Sequence, residues 1–298
     1  MKKILLTLVG LSALMSIHAQ VVQIYKNGKL ENSYKNDASN KYEVVFTQDE
    51  TDNHESIVIG GRKWAKMNVG ATTVAESPET AYGDYYTWGE TDTYYSSLDG
   101  ATINFKDYAT GPGTYLQKKK SYYNFESYCG QLTFKEWENP PYSNGVLDKA
   151  YDVAHVKWGG DWRMPTKEDF EALHAACGGD IKLKDAPETG NITQAGVYWV
   201  KAGSTVDGEP YGVAGALFVP TAAPANPKMR LFLPMAGNLQ YQKRDGAGTL
   251  CTYWSSSFDG NNPSCAENLS VSTAKMFVNF AHQGLKRCFG LSIRPVAD

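Results

Sequence analysis

Cysteine, histidine and serine are the residue types here that could act as nucleophiles, bases or metal ligands. The five cysteines, Cys129, Cys177, Cys251, Cys265 and Cys288, form no CxxC pair, so the spacing of a structural zinc site is missing. An odd number leaves at least one thiol unpaired, while the late cluster of Cys251, Cys265 and Cys288 could supply one bridge. His54, His155, His174 and His282 sit in separate segments with no HxxxH or HExxH pattern. Ser255, Ser256 and Ser257 lack the glycine framing of a nucleophile elbow. Gly111-Pro112-Gly113 leads into no Lys-Ser or Lys-Thr that would cradle a phosphate. No catalytic residue, metal ligand or cofactor is therefore expected.

Aromatic side chains remain as the means of recognition. With 19 Tyr, 11 Phe and 7 Trp the load is heavy, and such rings stack on sugars or anchor protein interfaces. The irregular stretch 91–145 holds Tyr122, Tyr123 and Trp137, and the later loops hold Tyr241, Trp254 and Phe258. These six are the candidate ligand-binding residues, against the alternative that they pack the loops internally. Asp259 and Glu267 are the only nearby carboxylates for calcium, which wants six to eight oxygens. Arg163 and Arg294 lie in apolar surroundings and read as structural, pairing a carboxylate such as Asp84 or Glu90 or capping carbonyls.

The element best defined locally is 158–177, WGGDWRMPTKEDFEALHAAC. Pro165 stops what precedes it, Thr166 is a good N-cap, and Asp169 three residues on completes a capping box. Phe170, Leu173, His174 and Cys177 share one helical face, and Gly178-Gly179 ends the helix. Leu147–Val156 predicts a further short helix. Strands are expected near 197–200, 216–219, 231–233, 253–257, 268–271 and 275–280, with Ile57–Ile59 and Leu291–Val296 pairing at the domain's two ends. Two helices among strands without βαβ alternation give an α+β class.

Residues 1–19 read as a signal peptide: Lys2 and Lys3, an apolar Ile4–Met15 too short to span a bilayer, then Ile17-His18-Ala19. Cleavage would leave Gln20 first and lower the formal charge from −3 to −5, which disfavours nucleic acid as a partner. Residues 20–46 read as a small β-element around Asn27-Gly28, 47–56 as a linker, and 57–298 as the main domain. No later run is apolar enough to insert in a membrane.

WAKMNVGA (64–71), GDYYTWGE (83–90), WGGDWRMPTKEDFEAL (158–173), LFLPMAG (231–237), TYWSSS (252–257) and GLSIRPV (290–296) occur in order. Together they resemble the Fibrobacter succinogenes major paralogous domain, found in exported proteins of gut Bacteroidota-type bacteria. The resemblance implies a C-type-lectin-like fold, with two helices packed on a twisted antiparallel sheet and long irregular loops. It implies little about activity. Lectins of that fold hold sugar through calcium with a Trp-Asn-Asp motif that is missing here, where Val278-Asn279-Phe280 stands. Formylglycine-generating enzymes share the fold but use two closely spaced cysteines, whereas Cys251 and Cys265 are fourteen residues apart.

The expectation is an exported, non-catalytic binding protein, in the periplasm or at the cell surface, with a glycan or a surface protein as ligand. One alternative is an assembly component docking through strands in 20–46. The other is a formylglycine-generating-type oxidase.

Overall fold

Residues 54–93, 142–240, 243–260, 265–273, 285–287 and 289–298 are described by the computed structural model, with the strands at 2–7, 21–26, 29–35, 42–47, 95–99, 102–105 and 277–280. The chain divides into two units, Met1–Asn53 and His54–Asp298. The division falls inside the stretch read as a linker.

In the first unit, β1 is Lys2–Thr7, β2 Val21–Lys26, β3 Lys29–Lys35 and β4 Tyr42–Thr47. β2 and β3 pair antiparallel, Val22 opposite Tyr34, with an irregularity at Ile24–Tyr25. β1 runs parallel to β4, setting Ile4 opposite Val44 and Leu6 opposite Phe46. β1 lies within residues 1–19, the stretch read as a leader.

The second unit opens with β5 (Ser56–Ile59) and β6 (Arg62–Ala65), followed by the short helix α1 (Pro78–Ala81) and the hairpins β7–β8 (Tyr95–Asp99, Thr102–Phe105) and β9–β10 (Tyr142–Ser143, Val146–Leu147). Helices α2 (Val153–Trp158) and α3 (Lys167–Ala176) come next. Then follow β11 (Lys184–Asp185), β12 (Thr189–Gly190), β13 (Gly196–Val200), β14 (Ser204–Val206), β15 (Glu209–Tyr211) and β16 (Gly215–Val219). A 3-10 turn at Pro227–Met229 leads into β17 (Leu231–Pro234), β18 (Asn238–Gln240) and β19 (Lys243–Asp245). The chain finishes with β20 (Leu250–Phe258), β21 (Cys265–Ser272), β22 (Phe277–Phe280), β23 (Leu285–Lys286) and β24 (Val296–Ala297). The class is mixed α+β, mostly small sheets with few helices.

Two sheets carry most of the core. In one, β20 pairs antiparallel with β21, and β21 with β22. In the other, β16 lies antiparallel between β13 and β17. α3 packs against β20, β21 and β22, and Phe170, Leu173 and Cys177 join Trp64, Phe218, Leu231, Tyr253 and Leu269 in the main cluster. Each fully buried Phe or Leu there contributes roughly 1.5–3 kcal/mol. β24 pairs with β6, not with β5, so the domain's two ends share one three-stranded sheet in the order β24, β6, β5.

Two local expectations change. The helix read over 147–156 begins at Val153, because Asp152 is its N-cap, accepting the His155 N–H at 3.1 Å and the Met164 N–H at 2.8 Å. Leu147 is used by β10 instead. α1 and the β14–β15 hairpin were not anticipated, although Ser77-Pro78 is a cap followed by Pro at N1 and Asp207-Gly208 is a two-residue hairpin turn. Asp207 and Gly208 take φ of 55° and 83°, as that turn requires.

Candidate functional site

A pocket of about 660 Å³ lies between the 73–76 loop, the β14–β15 hairpin, the 3-10 turn and β17, with Glu55 and Lys66 on its rim. That volume is in the range of small-ligand sites. Each wall has a local cause. The 73–76 loop is held by the Thr72 N–H on Thr80 O at 2.8 Å and by the Thr73 and Thr80 hydroxyls at 2.8 Å. Ala75 O accepts the Gly212 N–H at 2.8 Å, drawing this loop onto the end of β15. A Cβ at residue 212 would stand 1.8 Å from Glu76 O, so only glycine permits that approach.

The hairpin tip is fixed by charge. Asp207 Oδ1 accepts the Ile192 N–H at 3.0 Å, and its other oxygen pairs with Arg230. Both side chains are nearly buried, 6% and 3% exposed. Arg230 Nη2 also donates to Ile192 O and Pro224 O, while Nε has no hydrogen-bond partner. The floor is aromatic: Tyr211 and Phe232 lie with centroids 4.7 Å apart, tilted by 52°. The Phe232 ring lies against Gly215, where a Cβ would meet it at 2.2 Å.

Among the described residues no hydrogen bond holds the Tyr211 hydroxyl. Burial, with a smaller push from Glu209, raises its phenol to about 12, so it is a hydrogen-bond donor at neutral pH. At the rim Lys66 pairs with Glu55 at 3.2 Å, and Glu76, Glu209 and Lys228 are exposed. The pocket can stack weakly, donate and accept; its lining contains no His, Cys or Ser.

None of the six aromatics singled out above lines this pocket. Tyr122, Tyr123, Trp137 and Tyr241 lie outside the described residues. Trp254 is a correction: it is wholly buried, its indole N–H donates to Tyr86 O at 2.8 Å, and it packs with Trp88, Met164 and Leu291. β20 lies beside β21 in the sheet with the 86–88 segment across its face, which leaves that ring nothing to offer a ligand. Phe258, at the end of β20, is half-buried against the same cluster. No pattern marked the pocket in the sequence, because its residues come from six separate stretches; only the Asp207-Gly208 turn was a readable signal.

The reactive types have structural partners. Ser255 Oγ accepts the Ser257 N–H at 2.8 Å, and Ser257 Oγ accepts the Lys167 N–H at the start of α3 at 3.0 Å. His174 is buried with Nε2 3.0 Å from Asp180 O. His54 stacks on Trp158 at 3.6 Å, and the two rings are 5° from coplanar. Cys177, Cys251 and Cys265 are buried; desolvation pushes the Cys177 thiol up to about 12 and Cys251 higher still. Cys251 lies opposite Val271, six residues along β21 from Cys265, or about 20 Å at strand rise. The two thiols therefore do not meet. Glu267 is 8% exposed and pairs with Lys167 at 3.3 Å, and Asp259 is 2% exposed. No group of three or more His, Cys, Asp or Glu placed to hold a metal occurs among the described residues.

Arg163 finds its carboxylates in Asp169 at 2.6 Å and Asp298 at 2.8 Å, rather than Asp84 or Glu90. Arg294 caps carbonyls, those of Ala65 at 2.9 Å and Phe232 at 3.1 Å. No helix among the described residues is long and apolar enough to cross a membrane. No protein-family model, curated protein or solved structure matches the chain.

Proposed function

We propose that this chain is an exported, non-catalytic binding protein of the periplasm or cell surface, recognising a glycan or a protein. On this reading its larger unit is a C-type-lectin-like domain of the Fibrobacter succinogenes major paralogous family. The fold assignment is supported by the ends sharing one sheet and by two helices beside antiparallel strands. The observation that carries the function is the 660 Å³ pocket, with its aromatic floor and an uncommitted tyrosine hydroxyl. The test is a binding screen of the chain from residue 20 onward against glycans and candidate surface proteins, with calcium and with chelator. A saturable ligand supports the reading; correctly folded protein that binds neither class sinks it.

A second reading, assembly through the N-terminal strands, is favoured by one observation. Cleavage after Ala19 would remove β1 and open the six-residue edge of β4, a template for strand addition. Deleting 20–46 should then abolish association with a partner while leaving ligand binding by the larger unit intact. Unchanged association would remove this reading.

A further inference from the structure

We infer that the pocket at Tyr211 takes a single neutral sugar residue at the end of a glycan. The Tyr211 hydroxyl, Glu76 and Glu209 meet its hydroxyls, and Val74 and Phe232 meet its apolar face. This rests on the binding reading above and names the ligand class for the same pocket.

Three observations carry it. First, the charges are mostly spent within the protein. Asp207 answers Arg230 and Glu55 answers Lys66, so Glu76, Glu209 and Lys228 are the lining charges left for a ligand. Four carboxylates against three cations line the pocket, which repels a uronate or sulfate while offering acceptors to hydroxyl groups. Second, Glu209 and Tyr211 stand at i and i+2 of β15 and so on one face. They form an acceptor and a donor side by side, the pair that adjacent sugar hydroxyls need. Arg230, 7% exposed with an unpartnered Nε, adds a buried donor group behind them. Third, the geometry rejects an extended peptide. β15 is three residues long, Pro210 at its centre has no N–H, and the Gly212 N–H is already taken by Ala75 O. No ladder is left for a strand to extend.

The experiment is calorimetric titration of the exported chain with oligosaccharides ending in neutral hexose or N-acetylhexosamine, beside matched ones ending in uronic acid or sulfated sugar. Tyr211→Phe removes one hydroxyl and keeps the ring; Glu209→Gln removes one exposed charge. Near-UV circular dichroism checks that both variants keep the native core. Neutral ends should bind, acidic ends at least tenfold more weakly, and each variant should weaken the neutral ligand roughly three- to tenfold. Acidic ends binding as tightly, or neutral binding unchanged in both variants, overturns the inference. So does a protein ligand that loses affinity in Tyr211→Phe while no glycan binds. The binding reading survives each of those three results and fails only when the screen finds no ligand at all.

Discussion

Asp169 offers the sharpest test of how the domain is held together. Its side chain, 4% exposed, accepts from Arg163 at 2.6 Å, Arg62 at 2.7 Å and the Thr166 N–H at 2.8 Å, while Thr166 caps the Asp169 N–H in return. Arg163 also binds Val296 O through its own N–H, so this one carboxylate joins the start of α3 to β6 and the C-terminal strand. Asp169→Asn keeps the shape and removes the charge. A fully buried broken pair costs about 3–5 kcal/mol, but Arg62 and Arg163 are 41% and 27% exposed and partly solvated. Discounted for that screening, the loss should be about 2–3 kcal/mol. For a unit of this size that lowers the melting temperature by roughly 4–12 °C.

The assay is denaturant unfolding followed by tryptophan fluorescence. All seven tryptophans lie after residue 53, so the signal reports the larger unit. Burial by itself would raise the Asp169 carboxyl, but Arg163, Arg62 and the Thr166 N–H outweigh it and hold it below the usual value. A depressed folded pKa means stability that is fully present above the unfolded value, near 3.9, and lost as pH falls towards the folded one. The gap between wild type and Asp169→Asn should therefore be full at pH 7 and close as pH falls below about 4. A neutral-pH loss under about 0.5 kcal/mol, or a gap unchanged well below that pH, would refute the argument that the charge itself does the holding.

Other outcomes follow from the same geometry. Arg230→Met strands a buried Asp207 and should cost about 3–5 kcal/mol in urea unfolding, whereas adding Asp207→Asn, which removes the charge, tolerates the positive φ and keeps an acceptor for the Ile192 N–H, should recover part of it. Gly212→Ala drives a Cβ into Glu76 O and should destabilise by at least about 1–3 kcal/mol, shifting nuclear magnetic resonance signals of the 73–76 loop. Trp254→Ala should cost about 3–5 kcal/mol as a core deletion; a mild cost with lost ligand binding would restore it as a contact residue. Cys177 and Cys251 should resist thiol reagents at pH 8 until the domain unfolds, since burial keeps both protonated; rapid native-state labelling would contradict that burial.

Much of the scaffold was legible because its signals are local. Thr166, Asp169 and the Phe170–Leu173–His174–Cys177 face define α3 within a dozen residues, and the structure places that helix with that cap and that buried face. The strands at 196–200, 215–219, 231–234 and 250–258 likewise follow runs of β-branched and aromatic residues. Where a local signal was ambiguous, a distant partner decided. Asp152 could have lain inside a helix, but the Met164 N–H made it a cap. Arg163 read equally as a partner for a carboxylate or a cap for carbonyls; Asp169 became its partner because the Thr166 cap fixes that carboxylate beside it.

The pocket and the fate of Trp254 belonged wholly to tertiary structure. Residues 55, 66, 73–76, 207–212, 217 and 227–232 carry no common motif; they meet because Gly212 admits a close backbone crossing and Arg230 reaches Asp207. An aromatic on a strand reads the same whether its face meets water or another strand. Only the 86–88 segment lying across β20 made Trp254 core. Capping and periodicity act over a few residues and are written in the sequence; burial depends on what the rest of the chain lays over each side chain.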